Sequence, residues 1–402
     1  MRLAYFADIR FPIERANGIQ TVETCHALAV RGHDVTLIVR PDTQSPPRDP
    51  LAYYGLAPVD RLHIERAPVS GPAAMRRLGY MAFAAGRAAG TARADVLFTR
   101  DLGVASMLLR IPRRFRPPVV YESHGYAPDV SAALPEMVAT ASRPSASKLR
   151  RLAAREARVW HDADGYVTIT QGLADEMIRR HGARSALAVI PDGTRLPARA
   201  AQTPTDASQV HTHNHDERVV AYAGHLYAWK GVDVLLRALT LVPDARGLIV
   251  GGHAAESDLA RVQALALQLG IADRVRFTGL VEPARVPELL RSATVLALPN
   301  PASAISTRFT SPLKLFEYMA AGRPIVASNL PSIREVLHDN IDALLVEPGD
   351  PEALAAAIRR LLEDRTLARR LAAAASVAVA EYGWDRRAAR LEALLTEVTN
   401  RT

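Results

Sequence analysis

The stretch Phe309-Thr-Ser-Pro-Leu-Lys-Leu-Phe-Glu-Tyr-Met-Ala-Ala-Gly-Arg-Pro-Ile-Val-Ala-Ser328 decides how the chain is read. Ser311 is a good N-cap, Pro312 suits the first helical position, and Gly322 followed by Arg323 and Pro324 stops the helix. Ile325 to Ser328 then reads as a short buried strand. The helix starts just after the loop that follows a strand ending at Pro299, so its free N–H groups and positive dipole end make an anion site at a strand terminus. Glu317, near two turns in, can accept hydrogen bonds from a ribose diol while phosphates rest on the helix start. A capped structural helix with a solvated Glu317 accounts for the spacing equally well.

Working outward, short apolar runs alternate with helical patterns along the whole chain. In the first half these runs are Leu3 to Ala7, Asp34 to Val39, Val96 to Thr99, Val119 to Glu122 and Tyr166 to Thr170. In the second they are Val219 to Ala223, Gly247 to Gly251, Val275 to Thr278, Thr294 to Pro299 and Ile325 to Ser328. The pattern predicts two α/β domains, each a doubly wound parallel sheet, facing a cleft at the carboxyl ends of their strands. Between them Pro197 to Glu217, rich in Ala, Thr, Ser and Asp, reads as a mobile connection. Its His211, His213 and His215 lack a second ligand cluster, so a solvated loop is favoured over a metal site.

The 402 residues suit two domains, and 49% hydrophobic with 23% charged residues excludes disordered, collagenous and coiled-coil classes. One cysteine, Cys25, cannot form a disulfide within the chain and points to a reducing, cytoplasmic setting. Met1 to Ala7 is too short for a signal peptide, and Arg87 and Arg93 interrupt the longest apolar window, Leu78 to Ala94. Residues 1–195 hold 27 Lys and Arg against 19 Asp and Glu, a net of +8, while residues 196–402 hold 23 of each. The basic excess therefore sits wholly in the first half, where it attracts phosphates on nucleotide, lipid or nucleic acid.

Three more stretches sit where strands meet helices. Gly224-His-Leu-Tyr-Ala-Trp-Lys-Gly231 offers close backbone approach at Gly224 and a diphosphate partner at Lys230, or simply a turn with a surface lysine. Ala16-Asn-Gly-Ile-Gln20 puts Gly18 at a loop-to-helix junction, and Tyr121-Glu-Ser-His-Gly125 puts His124 at the cleft edge. There is no Gly-x-Ser-x-Gly elbow, no phosphate loop ending in Gly-Lys-Ser/Thr, no Cys-x-x-Cys, and no Asp-x-Asp pair near a strand end.

Taken together, Ser311 to Ser328 and Gly224 to Gly231 resemble the family 4 retaining glycosyltransferases of GT-B fold. The resemblance extends to Val189-Ile-Pro-Asp-Gly193, Phe277-Thr-Gly279 and Tyr382-Gly-Trp384, and so covers nearly the whole chain. It implies two Rossmann-like domains, residues 1–195 for the acceptor and 196–378 for the donor, with residues 379–402 crossing back as a helix to pack on the first. It implies that Lys230 holds the donor diphosphate and Glu317 the ribose. The loop and helix start at Thr310, Ser311, Pro312, Leu313, Lys314 and Leu315 would bind phosphates and sugar through backbone groups. Gly18 and Gly224 would approach the diphosphate, Leu280 and Val281 the base, and His124 the transferred sugar. Two positions depart from the family pattern. Phe309 stands where the first glutamate of Glu-x7-Glu is usual, and His225 where an arginine usually joins Lys230 in the diphosphate grip.

The implied reaction is metal-independent transfer of a sugar, with retention, from a nucleotide sugar, UDP first and GDP second. The acceptor would be a saccharide, a lipid-linked saccharide or a small molecule, and no cofactor or nucleic acid is implied. A non-catalytic binding module of the same fold and a sugar-nucleotide epimerase are the alternatives. The segment Lys148 to Trp160 carries Leu149, Leu152, Ala153, Ala157 and Trp160 on one stripe and Lys148, Arg151, Arg155 and Arg158 on another. It reads as an in-plane helix on an anionic membrane at the inner face, or as an ordinary helix packed on the sheet. Gly71 to Gly90, with Arg76 and Arg77, is a second contact of this kind.

Overall fold

The computed structural model describes residues 1–90, 94–137, 142–197, 217–253, 256–303, 306–307 and 313–401. The first sheet contains β1 (Arg2–Arg10), β2 (Asp34–Arg40), β3 (Leu62–Arg66), β4 (Val96–Thr99), β5 (Val119–Ser123), β6 (Gly165–Thr168) and β7 (Leu187–Val189). Its order is β3-β2-β1-β4-β5-β6-β7. The second contains β8 (Arg218–Ala223), β9 (Ala245–Val250), β10 (Val275–Phe277), β11 (Val295–Leu298), β12 (Ile325–Ser328) and β13 (Leu344–Val346), in the order β10-β9-β8-β11-β12-β13. Every strand pairing in both sheets is parallel. Two Rossmann-like α/β domains result, and in each the strand order reverses beside the first strand, which opens a crevice there.

Period-two burial explains why short apolar runs became central strands. Along β1, Leu3, Tyr5 and Ala7 enter one core while Ala4 and Phe6 enter the core on the opposite face. Along β8, Val220 and Tyr222 divide in the same way from Ala221 and Ala223. Helices cover both faces, so no strand of this kind needs a polar side.

The final helix, Trp384–Asn400, does not stay with the second domain. Its Leu391, Leu394, Leu395 and Val398 join Val22, Cys25 and Leu28 in the core of the first. Arg31, at the end of the helix Ala16–Val30, holds it from outside through Glu392 at 2.6 Å and Asp385 at 3.1 Å. The chain therefore crosses between domains twice, and the two crossings lie side by side. Thr194 N–H donates to the Tyr382 carbonyl at 2.9 Å, and Trp384 N–H donates back to the Thr194 carbonyl at 3.3 Å. Gly193 packs flat on Trp384, whose ring lies 2.9 Å from where a Cβ would stand.

The helix Ala146–Asp162 is capped by Ser145, whose hydroxyl accepts from Lys148 N–H. It buries Glu156, Val159 and Trp160 and half-buries Leu149, Leu152 and Ala153 against the domain, while Lys148, Arg151 and Arg158 stay exposed. Its apolar stripe is thus occupied by the protein, which removes the apolar face that the in-plane membrane reading of this helix needs. The helix Ala73–Gly90 differs, since Met75 and Leu78 are 64% and 72% exposed beside Arg76 and Arg77. Among the described residues no helix is long and apolar enough to cross a membrane. The connection with His211, His213 and His215 lies outside the described residues, apart from its ends.

Leu391 is fully buried, and Leu391→Ala should lower the unfolding free energy by about 2–5 kcal/mol in a denaturant titration. A loss below about 0.5 kcal/mol would show that the crossing helix is not part of the first domain's core.

Candidate active site

The loops after β1, β4 and β5 in one domain and after β8, β9 and β10 in the other open onto one cavity of about 640 Å³. Its second-domain wall is built by close backbone approach. Gly224 and Gly251 have φ of +137° and +126°, and a Cβ on Gly251 would strike the Gly224 carbonyl. A Cβ on Gly224 would stand 2.8 Å from the Lys314 ammonium, so glycine there keeps that space for the lysine.

Two lysines meet on this wall. Lys314, in the first turn of the helix Leu313–Ala320, is buried; it donates to Tyr222 Oη at 2.7 Å and lies 4.1 Å from the centre of that ring. Lys230 ends the short 3₁₀ turn Ala228–Lys230 with its ammonium 3.6 Å from the centre of the Trp229 ring. Neither forms an ion pair among the described residues. Burial lowers Lys230 to about 7, and burial followed by the charge of Lys230 holds Lys314 well below the usual lysine range. His225 stacks on Tyr227 at 5.0 Å, and burial, then Lys314, lowers it to about 4. It is therefore neutral at pH 7 and cannot supply the charge of the arginine it replaces. Glu317 faces the same cavity, its carboxyl raised by burial against the opposing pull of Lys314.

The first-domain wall is organised by His124. Its Nε2 lies 2.6 Å from Glu122 Oε1, which also accepts from Gln20 Nε2 at 2.5 Å. The other carboxylate oxygen takes Arg387 Nη2 at 2.6 Å, a fully buried pair reaching in from the crossing helix. Arg387 Nη1 donates to Thr24 Oγ1, and Arg100 holds the amide oxygen of Gln20 at 2.7 Å. Burial alone would raise the Glu122 carboxyl, but Arg387 and then His124 hold it well below the ordinary carboxylate range. His124 is lowered by burial and by Arg100, with Glu122 opposing. The neutral ring thus donates from Nε2–H to Glu122, which leaves Nδ1 as its acceptor. Ligand atoms of Glu122, His124 and Asp192 lie within 4.8 Å of one another, but the Arg387 and Arg100 guanidinium groups already supply the positive charge there.

Of the residues expected from sequence, His124, Gly224, His225, Lys230, Leu280, Val281, Leu313, Lys314 and Glu317 line this cavity together. Gly18 does not; it is buried in the first helical turn, where a Cβ would strike Ile13 and Tyr54, and its neighbours Asn17 and Ile19 line the cavity instead. Leu315 is fully buried in the second domain's core. Phe309, Thr310, Ser311 and Pro312 lie outside the described residues. Sequence reading missed Glu122, Gln20, Arg100, Asp192 and Arg387, and assigned Lys314 through its backbone alone. Glu122 was within reach, because it lies two residues before His124 on the strand that leads into that turn.

A family model described as "Glycosyl transferases group 1" matches residues 205–377, and one described as "Glycosyl transferase 4-like domain" matches residues 17–193. A D-inositol 3-phosphate glycosyltransferase of Xylanimonas cellulosilytica is 31% identical over 255 residues, 61% of this chain and 60% of its own length. The same-named protein of Streptomyces avermitilis is 30% identical over 286 residues, 68% of this chain and 59% of its own. The chain spans about 60% of the length of these curated relatives. Sucrose-phosphate synthase from Thermosynechococcus elongatus superposes with a TM-score of 0.78 at 20% identity over all of both chains. HepE of Anabaena, in complex with UDP and glucose, superposes at 0.72 and 18% identity over 98% of this chain and 99% of its own. These two share the GT-B fold with the chain.

Glu122→Gln removes the charge that favours the protonated imidazole, so His124 should titrate at lower pH in the variant than in the parent. A proton NMR titration of the ring reads this, and an unchanged or higher pKa would contradict the assigned contact.

Proposed function

Because the chain belongs to the glycosyl transferases group 1 family, we propose that it transfers a hexosyl-type sugar, with retention, from a nucleotide sugar to a hydroxyl acceptor. A UDP-sugar is the first choice of donor and a GDP-sugar the second; the UDP and glucose held by HepE support the first. The acceptor class is a saccharide, a lipid-linked saccharide or a small molecule. The observation that carries the reading is the pair of cavity lysines, Lys314 buried and Lys230 half-buried, neither of them in an ion pair among the described residues.

Ammonium groups held largely out of water without an ion pair are costly, and a diphosphate would relieve both at once. The reaction breaks the bond between the anomeric carbon and the diphosphate oxygen and forms one from that carbon to the acceptor oxygen. The acceptor's proton leaves with the departing phosphate. Negative charge grows on the diphosphate as it leaves, and both lysines are placed to stabilise it, so this scheme needs no metal. His124 Nδ1 accepts a hydroxyl hydrogen bond from the transferred sugar, with the ring held by Glu122. Glu317 accepts from the ribose diol. Attack on the face that the leaving group vacates gives retention.

The lysines set a pH dependence with a definite sign. Lys230 has a pKa of about 7 in the empty protein, and a bound diphosphate raises it. Affinity for UDP is therefore greatest below pH 7 and falls as pH rises from 7 towards the bound pKa, by roughly ten-fold between pH 6.5 and 8.5. Calorimetric titrations should show this fall, and Lys230→Ala should flatten it while cutting donor turnover about 100-fold. Equal affinity across that range, or a variant with near-normal turnover, would contradict the role.

A further inference from the structure

Three rings stand in a row on the second-domain side of the donor cavity. His225, Tyr227 and Trp229 are alternate residues after β8. The rings of His225 and Tyr227 stack at 5.0 Å and 7°, and those of Tyr227 and Trp229 at 6.4 Å and 12°. His225 and Trp229 themselves line the cavity. Tyr227 Oη donates to Glu256 Oε1 at 3.0 Å, which ties the row to the start of the helix Ser257–Gln268. Gly231 seats the other end: its φ is +79°, and a Cβ there would strike the Pro299 carbonyl.

The last ring of the row faces a cation, with Lys230 Nζ 3.6 Å from the centre of the Trp229 ring. No hydrogen bond accounts for the place of that ring, because Trp229 Nε1 is buried without a partner. Its position comes from the stack on one side and the ammonium on the other. Of the ionisable groups beside Lys230 in the cavity, Lys314 repels it and His225 is neutral. An aromatic face attracts a cation through its quadrupole and carries no net charge. A carboxylate in the same place would hold the ammonium more firmly but would also neutralise it, and a diphosphate would then have to displace that carboxylate. An aliphatic neighbour would leave the four-carbon stem free, and that freedom would be lost on binding.

We propose that Trp229 is a positioning residue for the donor diphosphate: its ring holds the Lys230 ammonium in the cavity without neutralising it, so the cation is in place before the diphosphate binds. The proposal deepens the transferase reading and rests on it for the diphosphate. Trp229 acts through Lys230 alone, and any aromatic face at this position performs the role.

The test titrates UDP by calorimetry into the full-length parent, Trp229→Leu, Trp229→Phe, Lys230→Ala and the double variant Lys230→Ala with Trp229→Leu. Trp229→Leu should weaken UDP binding about ten-fold, and Trp229→Phe, which keeps a ring face, should stay within about three-fold of the parent. On the Lys230→Ala background Trp229→Leu should cost less than two-fold, because the group it positions is gone. A general disturbance of the wall would instead cost the same on both backgrounds. An equal loss on both backgrounds, a phenylalanine no better than leucine, or a leucine variant within two-fold of the parent overturns the role of the ring. Failure of the parent to bind UDP or GDP overturns the transferase reading instead. The same five proteins titrated with inorganic pyrophosphate then decide the role of Trp229 by the same ratios, and a parent that binds no pyrophosphate either overturns both.

Discussion

The buried ion pair between Arg387 and Glu122, 2.6 Å long and closed to water, is the constraint on which the rest of the arrangement depends. Arg387 belongs to the helix that has left the second domain, and Glu122 is the penultimate residue of the strand that leads to the first domain's cleft edge. Breaking such a pair from one side strands a charge in the interior, at a cost of about 3–5 kcal/mol. The helix is therefore seated in one register, and the same carboxylate sets the ring and tautomer of His124. Folding and site geometry are fixed by one contact. The paired crossings at Thr194 and Gly383 sit beside Trp384, three residues from that arginine, so the joint between the domains lies close to it.

The opposite wall follows another logic. There neither lysine is ion-paired among the described residues: Lys230 and Lys314 share one cavity with Glu317, whose attraction for Lys314 opposes the effect of burial, and His225 beside them is neutral. Cations held out of water in this way cost the fold stability. A side chain at Gly224 would fill the space that Lys314 uses. A second lysine, Lys314, shares this cavity with Lys230 and the neutral His225.

Much of this was legible in the sequence. Alternating strands and helices gave the doubly wound sheets because β1, β8 and β11 are buried on both faces and so read as continuous apolar runs. The strands β3, β7 and β13 were not legible, being three to five residues long, at or next to a sheet edge, and only partly buried. His124 and Lys230, on turns after strands, and Glu317, on the helix Leu313–Ala320, were legible as cavity residues because motif and topology agree there. Arg387 was hidden in an ordinary amphipathic helix, since its partner is 265 positions away and no local pattern marks it. Gly18 was read as a glycine approaching the diphosphate, but it does not line the cavity, and the crowding around it comes from Tyr54 and Ile13.

The most direct measurement is the configuration of the sugar that the enzyme separates from UDP-α-glucose or another α-linked nucleotide sugar, read by proton NMR at the anomeric carbon before mutarotation. Front-face attack gives an α-configured product together with free nucleoside diphosphate. A β-configured product would contradict front-face attack, and nucleotide sugar that stays intact or epimerises without release would contradict transfer itself.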